Sequence, residues 1–242
     1  MSASVITRNQ QDANVGNPGD IIKHAALLQL IKFFNALAGH KVYLDTHCYL
    51  PRAQLSNQDW SDDVTRLLQA YPLYRDYAAL QRPYIEQGEY LCSSGIVLER
   101  SGEIELLLSE SNPHTRTMLQ QQLRGYDAKT TVKDNMALWY KYMTIKKNEN
   151  IFILLDPFNL TKEVWQTICL MLEKDISATS RGLLLVFDYD KSDEHLAWPK
   201  AAAGWAGPAA RLSHTPYHLA VYSTPSIRQA VASLLAPLGW RV

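Results

Sequence analysis

The chain has 242 residues, 47% of them hydrophobic and 20% charged. That is enough for one ordinary globular domain with a sizeable core, and it excludes a disordered tail, a collagen-like repeat and a mini-protein. Its 24 Lys and Arg cancel its 24 Asp and Glu, so no whole-molecule field draws it to nucleic acid or to an anionic membrane, and any nucleic-acid role has to rest on a local patch. The three cysteines, Cys48, Cys92 and Cys169, are far apart and form no Cys-x-x-Cys pair, which suits reduced thiols rather than a disulfide scaffold or a zinc finger. Met1 to Asp20 is polar, and the most apolar early run, Ala25 to Ala38, is interrupted by Gln29, Lys32 and Asn35. The expectation is a cytoplasmic protein with neither signal peptide nor membrane span.

In chain order, Asn17-Pro18-Gly19-Asp20 joins two breakers to a good N-cap and predicts a helix from about Asp20 through Leu37. Lys41 to Thr46 is rich in strand formers and gives the first strand. From about Leu55 to Glu89 the sequence is polar and Tyr-rich with helical spacing, and reads as a helical insertion. Ile104 to Leu108 is a strand, Asn112-Pro113 opens a helix, and Ala128 to Val132 is a short strand. A helix around Met136 to Met143 leads to Ile151 to Leu155, whose unbroken apolar run marks a strand buried on both faces. A helix over Thr161 to Leu172, strands at Leu183 to Phe187 and Tyr217 to Tyr222, and a helix over Ser226 to Leu235 complete the chain. Ala201 to Ala210 reads as a small-residue loop. Strands alternating with helices predict a single α/β domain, with a mostly parallel sheet covered by helices on both faces.

In such a sheet ligands bind outside the carboxyl ends of the strands. Four successive strands deliver an acid there, namely Asp45, Glu110, Asp134 and Asp156. A carboxylate accepts from ribose hydroxyls or from an exocyclic amine, so the set points to a nucleoside-type ligand. For each acid alone, capping of the following helix is the plainer reading. Asp156-Pro157-Phe158-Asn159 is the most pointed of these places. An Asp beside a Pro sets a carboxylate next to a backbone carbonyl, and such a pair can accept both hydrogens of an aromatic amine. A neighbouring aromatic ring can clamp the base once it has left its stack.

Gly16-Asn17-Pro18-Gly19-Asp20-Ile21-Ile22-Lys23-His24, Tyr43-Leu44-Asp45-Thr46-His47, Tyr90 to Ser94, Glu110-Ser111-Asn112-Pro113, Asp134 and Asp156-Pro157 resemble, in order and spacing, the J-type family of large-subunit ribosomal RNA adenine methyltransferases. A looser resemblance is to the three-cysteine-motif partner proteins, which also carry an Asp-Pro-Phe turn. The J-type resemblance implies a Rossmann-like class I methyltransferase fold and S-adenosylmethionine as cofactor. It implies methylation of an adenine exocyclic amine in nucleic acid, RNA rather than DNA. It places Lys23 and His24 in the cofactor pocket, with Asp45, Thr46 and His47 beside them. Ser94 falls at the cofactor's amino-acid end, Glu110 at the ribose, Asp134 at the adenine, and Asp156 with Pro157, Phe158 and Asn159 at the target amine.

Two stretches depart from the family. Its members follow the first strand with Ala-Gly-Ala-Gly, where this chain has Cys48-Tyr49-Leu50-Pro51. Losing both glycines makes positive φ costly, adds side-chain bulk near the methionine part of the cofactor, and removes an N–H at Pro51. The family's Asp-Pro-Pro followed by Tyr or Phe is Asp156-Pro157-Phe158-Asn159 here, with Phe158 one position early. These departures motivate the alternative of a catalytically degenerate relative that serves as a binding or interaction module. For an RNA face the sequence offers Tyr140-Lys141-Tyr142 to Lys147 and an acid-free stretch after Glu194 carrying Lys200, Arg211, Arg228 and Arg241. A metal reading of Asp45, His47, Asp188, Asp190 and His195 matches no ligand spacing.

Overall fold

The computed structural model describes residues 15–55, 72–100, 102–126, 130–133, 150–156, 181–188, 203–206, 211–212, 215–216, 218–238 and 240. Helix α1, Pro18–Asn35, starts earlier than the sequence suggests. The cap is Asn17, whose side chain accepts from Asp20 N–H at 3.0 Å, and Pro18 takes a first-turn position where its missing N–H costs nothing. Asp20 serves instead inside the first turn, where its carboxylate accepts from the Gly16 N–H at 3.0 Å. Nearly every side chain from Ile21 to Ile31 is buried, Lys23 and His24 included. A helix covered all round has to lie inside the domain, and α1 packs on α3, α2 and α5, defined below.

Strand β1, Lys41–Asp45, is central. It pairs in parallel with β4, Glu105–Ser109, on one side and β6, Asn150–Leu155, on the other. Beyond β4 lies β5, Thr130–Lys133; beyond β6 lies β7, Arg181–Asp188, both parallel. Strand β11, His218–Ser223, then runs antiparallel to β7 and to β8, Ala203–Ala206. The sheet order is β5-β4-β1-β6-β7-β11-β8. Register sets Tyr43 beside Leu106 and Phe152 on the face turned to α1, while Val42, Leu44, Ile151 and Ile153 are buried on the other. Both faces are therefore covered, as the unbroken apolar run requires. Phe152 meets Phe34 and Tyr43 edge to face, with ring centroids 5.8 and 5.6 Å apart.

The insertion is more than helix. Strand β2, Arg52–Gln54, and β3, Glu89–Leu91, form an antiparallel pair that frames α2, Pro72–Ile85. Three-residue strands are too short to show alternation in sequence. Helix α3, Ser93–Arg100, follows β3 directly and is also not foreseeable, because its Ser-Ser-Gly opening reads as a loop. Helix α4, Pro113–Leu123, starts where expected, with Asn112 as cap. The last helix opens as a 3₁₀ turn, Pro225–Ile227, before α5, Arg228–Leu235. The stretch expected to be a loop at 201–210 contains β8: its small residues fit an edge strand beside β11, and tertiary pairing overrides their weak propensity. Short strands β9, Arg211–Leu212, and β10, Thr215–Pro216, pair antiparallel. The helices expected at 136–143 and 161–172 lie outside the described residues, as does 56–71 of the insertion. Among the described residues no helix is long and apolar enough to cross a membrane.

Candidate functional site

Strand order reverses at β1, which sits between β4 and β6, and the crevice at such a reversal is where this architecture takes ligands. Asp45 stands level with Leu108 of β4 and Leu154 of β6, so Glu110 and Asp156 each follow two residues beyond their strands' last contact with β1. Three of the four strand-end acids thus reach one edge, and two of them feel a neighbour: Asp156 adds to the raised pKa of Asp45, and Asp45 to that of Glu110. Asp134, Pro157, Phe158 and Asn159 lie outside the described residues, as do Asp190 and His195.

Asp156 is the open member, with its side chain 23% exposed. Its Oδ2 accepts from Lys23 Nζ, which also donates to Asp20 Oδ1 at 2.8 Å. Burial pulls the Lys23 ammonium down, but Asp156 and Asp20 together outweigh that and hold it well above its ordinary value. The same lysine helps keep Asp20 below the usual carboxylate range against the opposing effect of burial. The pair Lys23–Asp156 joins the first turns of α1 to the end of β6.

Asp45 is fully buried and bonded within the protein. Its Oδ2 accepts from Ser93 Oγ at 2.7 Å and from Tyr43 Oη at 3.3 Å, and its Oδ1 from His47 N–H at 3.3 Å. Burial pushes its pKa up to about 6, with Asp156 adding to the rise and Ser93 opposing it. Asp45 therefore ties the start of α3 to the end of β1, and Ser93, which nothing in the sequence singles out, is its main partner. Thr46 donates both its N–H and its hydroxyl to Leu154 C=O, at 3.0 and 3.1 Å. His47 is exposed, with Nδ1 2.8 Å from Thr46 Oγ1.

Glu110 accepts from the Asn112 N–H at 2.7 Å, and burial raises its pKa. Ser94 is fully buried with its hydroxyl unbonded in any regular geometry, near the Cys48 thiol. His24 turns toward the insertion, with Nδ1 2.9 Å from Tyr90 Oη, and burial lowers its pKa to about 3.

The loop that replaces the glycine turn sends its side chains inward. Cys48 and Leu50 lie in the main core, and Tyr49 packs half-buried against both that core and the small cluster of Ala53, Tyr90 and Cys92. Cys48 N–H donates to Ser109 C=O at 2.8 Å, and Pro51 C=O accepts from Cys92 N–H at 2.9 Å. A Cβ on Gly95 would stand 2.3 Å from Pro51 O, so glycine is required there for the loop to seat on α3.

No protein-family model matches the chain, and no curated sequence does either. Solved structures do. The protein LPL1258 of Legionella pneumophila, described under the family model DUF519, is 18% identical over 93% of this chain and 92% of its own, with a TM-score of 0.66. A putative methyltransferase of Escherichia coli, yhhF, is 12% identical over 83% and 86% with a TM-score of 0.45. The putative methylase HI0767 of Haemophilus influenzae is 14% identical over 85% and 98%, with a TM-score of 0.46. At these identities the likeness is one of fold, a Rossmann-like α/β fold with a mostly parallel sheet in which, among the described strands, β11 alone runs antiparallel.

Proposed function

We propose that the chain transfers a methyl group from S-adenosylmethionine to an adenine exocyclic amine in nucleic acid, ribosomal RNA before DNA. The observation that carries the reading is Asp156: an acid at the switch point, partly open to solvent, with one oxygen held by a buried lysine. Its Oδ1 has no bond among the described residues and is left for an incoming N–H.

The residues fit the cofactor by their chemistry. Glu110 offers a carboxylate at the edge of β4 for a ribose diol, and Ser94 a buried hydroxyl without a regular partner for the amino-acid end. Cys48 and Leu50 are buried in the core, with the Cys48 thiol beside Ser94. Asp134 would serve the adenine. When bound, S-adenosylmethionine supplies an electrophilic methyl group on a sulfonium centre. Asp156, with the Pro157 carbonyl, then accepts from the target amine and orients its lone pair, and Lys23 keeps the Asp156 carboxylate in place. Phe158 is assigned to the face of the flipped base. Rate enhancement in this scheme comes from positioning and fixed charge. Exposed Arg52, 5.3 Å from the Tyr84 ring centroid and 5.9 Å from that of Tyr126, supplies a cation-aromatic surface of the kind that holds single-stranded bases.

The test is thermal melting of the purified protein with S-adenosylmethionine and S-adenosylhomocysteine, followed by transfer of labelled methyl to ribosomal RNA lacking its own modifications. Ligand at a hundred times its dissociation constant stabilises by about 2.7 kcal/mol, which raises the melting temperature by roughly 5–10 °C for a chain this long. A saturable rise with label in adenine supports the reading. No rise at millimolar ligand favours the non-catalytic module.

A further inference from the structure

The buried hydrogen-bond chain that ends on His24 has a direction. Leu91 N–H donates to Gln81 Oε1 at 2.9 Å, and Leu91 C=O accepts from Gln81 Nε2 at 2.7 Å. These two backbone bonds admit one orientation of the amide, since the flipped amide would set donor against donor and acceptor against acceptor. Gln81 Nε2 therefore also donates to Tyr77 Oη, at 3.0 Å. Tyr77 then has its own hydrogen to give, and Tyr90 Oη lies 2.5 Å away. Tyr90 passes its hydrogen to His24 Nδ1 at 2.9 Å. An imidazole whose Nδ1 accepts carries its proton on Nε2.

The opposite direction is worse. If His24 Nδ1–H donated to Tyr90, and Tyr90 to Tyr77, the Tyr77 hydrogen would be left without an acceptor among the described residues. Tyr77 and Gln81 are fully buried and Tyr90 is 1% exposed, so no water would compensate. Burial also raises the pKa of both phenols, which keeps their hydrogens in place. The chain starts on the backbone of β3, runs through α2 and crosses to α1. It ends one residue from Lys23, which holds Asp156. Among the described residues nothing accepts from His24 Nε2.

We infer that Tyr77, Gln81 and Tyr90 are positioning residues that fix His24 as a neutral Nε2–H donor, by which the insertion prepares α1 for an acceptor-bearing ligand. That the ligand is the cofactor rests on the methyltransferase reading; the fixed tautomer does not. The inference is tested by long-range proton–nitrogen NMR of the ¹⁵N-histidine-labelled full chain at pH 7, with His24 assigned by substitution. The wild type is expected to show protonated Nε2 and a hydrogen-bonded, unprotonated Nδ1. Gln81→Glu turns an acceptor toward Tyr77 in place of a donor, reverses each bond, and moves a proton onto Nδ1. Tyr90→Phe shifts the Nδ1 resonance to that of an unbonded ring nitrogen, and it carries the test if Gln81→Glu does not fold.

A wild-type His24 that is doubly protonated, or protonated at Nδ1 alone, overturns the inference. So does an Nδ1 signal that neither variant moves. Affinity for S-adenosylhomocysteine, measured on the same samples, is expected to fall about tenfold with the reversed chain. A wild type that shows the expected tautomer and binds no S-adenosylhomocysteine sinks the methyltransferase reading and leaves the positioning role standing.

Discussion

Lys23 of α1 and Asp156, the residue that follows β6, form an ion pair across 133 residues of chain. The lysine is 4% exposed at its side chain and the aspartate 23%, so the pair has one buried end and one end at the solvent edge. A contact of this kind joins the first helix to the switch point of the sheet and holds a carboxylate where it can still be reached.

Asp156→Asn keeps the shape and removes the charge. On the proposed function, kcat for methyl transfer is expected to fall by about a hundredfold or more, because the amide has one oxygen where the carboxylate has two and cannot accept from both Lys23 and the target amine. S-adenosylhomocysteine affinity, read by calorimetry, is expected to change little, since Glu110 and Ser94 are untouched. Full activity in this variant would remove Asp156 from the mechanism.

Lys23→Met tests the other end. It leaves Asp20 and Asp156 facing one another without their shared cation. Removing one partner of a buried pair costs about 3–5 kcal/mol, and the partial exposure of both carboxylates reduces this to about 1–3 kcal/mol. Urea unfolding should show a loss in that range. Adding Asp156→Asn to Lys23→Met should recover part of it, and strict additivity of the two would show that the pair is not coupled.

Much of the sheet is legible in the sequence because its signals are local. The apolar run from Ile151 to Leu155 can only be buried on both faces, and Asn112-Pro113 can hardly do other than open a helix. The acids at the strand ends are legible for the same reason, since a strand that ends in Asp45 or Asp156 places it at the edge whatever the tertiary details. What the sequence hides depends on contacts across long distances. Ser93 matters because Asp45, 48 residues away, accepts from it. Gln81 reads as an ordinary polar helix residue until β3 is seen to lie against it. Cys48 and Leu50 look like bulk in the ligand space because sequence alone does not say which way a loop turns its side chains.

Gly95 is the place where that loop is most sensitive. Its backbone is helical, so conformation does not require glycine, but an added Cβ would meet Pro51 O at 2.3 Å and Leu91 Cδ1 at 2.6 Å. The leucine can shift and the carbonyl cannot, because it accepts from Cys92 N–H. Gly95→Ala is expected to destabilise the protein by about 1–3 kcal/mol, as overpacking of a core does. The same substitution at Gly102, where the nearest atom is 3.4 Å away on the Asn35 side chain, should cost far less. Comparable urea midpoints for the two variants would show that the loop is free to move away from α3.

Asp45 gives the protein a pH dependence of unusual sign for a carboxylate. Its pKa is near 3.8 when unfolded and about 6 when folded, so well below pH 3.8 it is neutral in both states and adds no penalty. Between pH 4 and 6 the unfolded chain releases the proton while the folded chain retains it, and stability falls as pH rises. A difference of this size between the two states corresponds to about 3 kcal/mol, fully expressed above pH 6. Other acids titrate in the same window, Glu110 with the same sign and Asp20 with the opposite one, so the wild type alone does not isolate the effect. The difference between wild type and Asp45→Asn does. Urea unfolding at intervals from pH 3.5 to pH 7.5 should show this difference moving in favour of the variant as pH rises, by about 3 kcal/mol across the window. The variant also sets an amide against Ser93, Tyr43 or the His47 N–H, which lowers its stability by a constant amount at every pH and leaves the slope intact. A difference that is flat with pH would mean that Asp45 ionises in the folded protein as readily as it does in water.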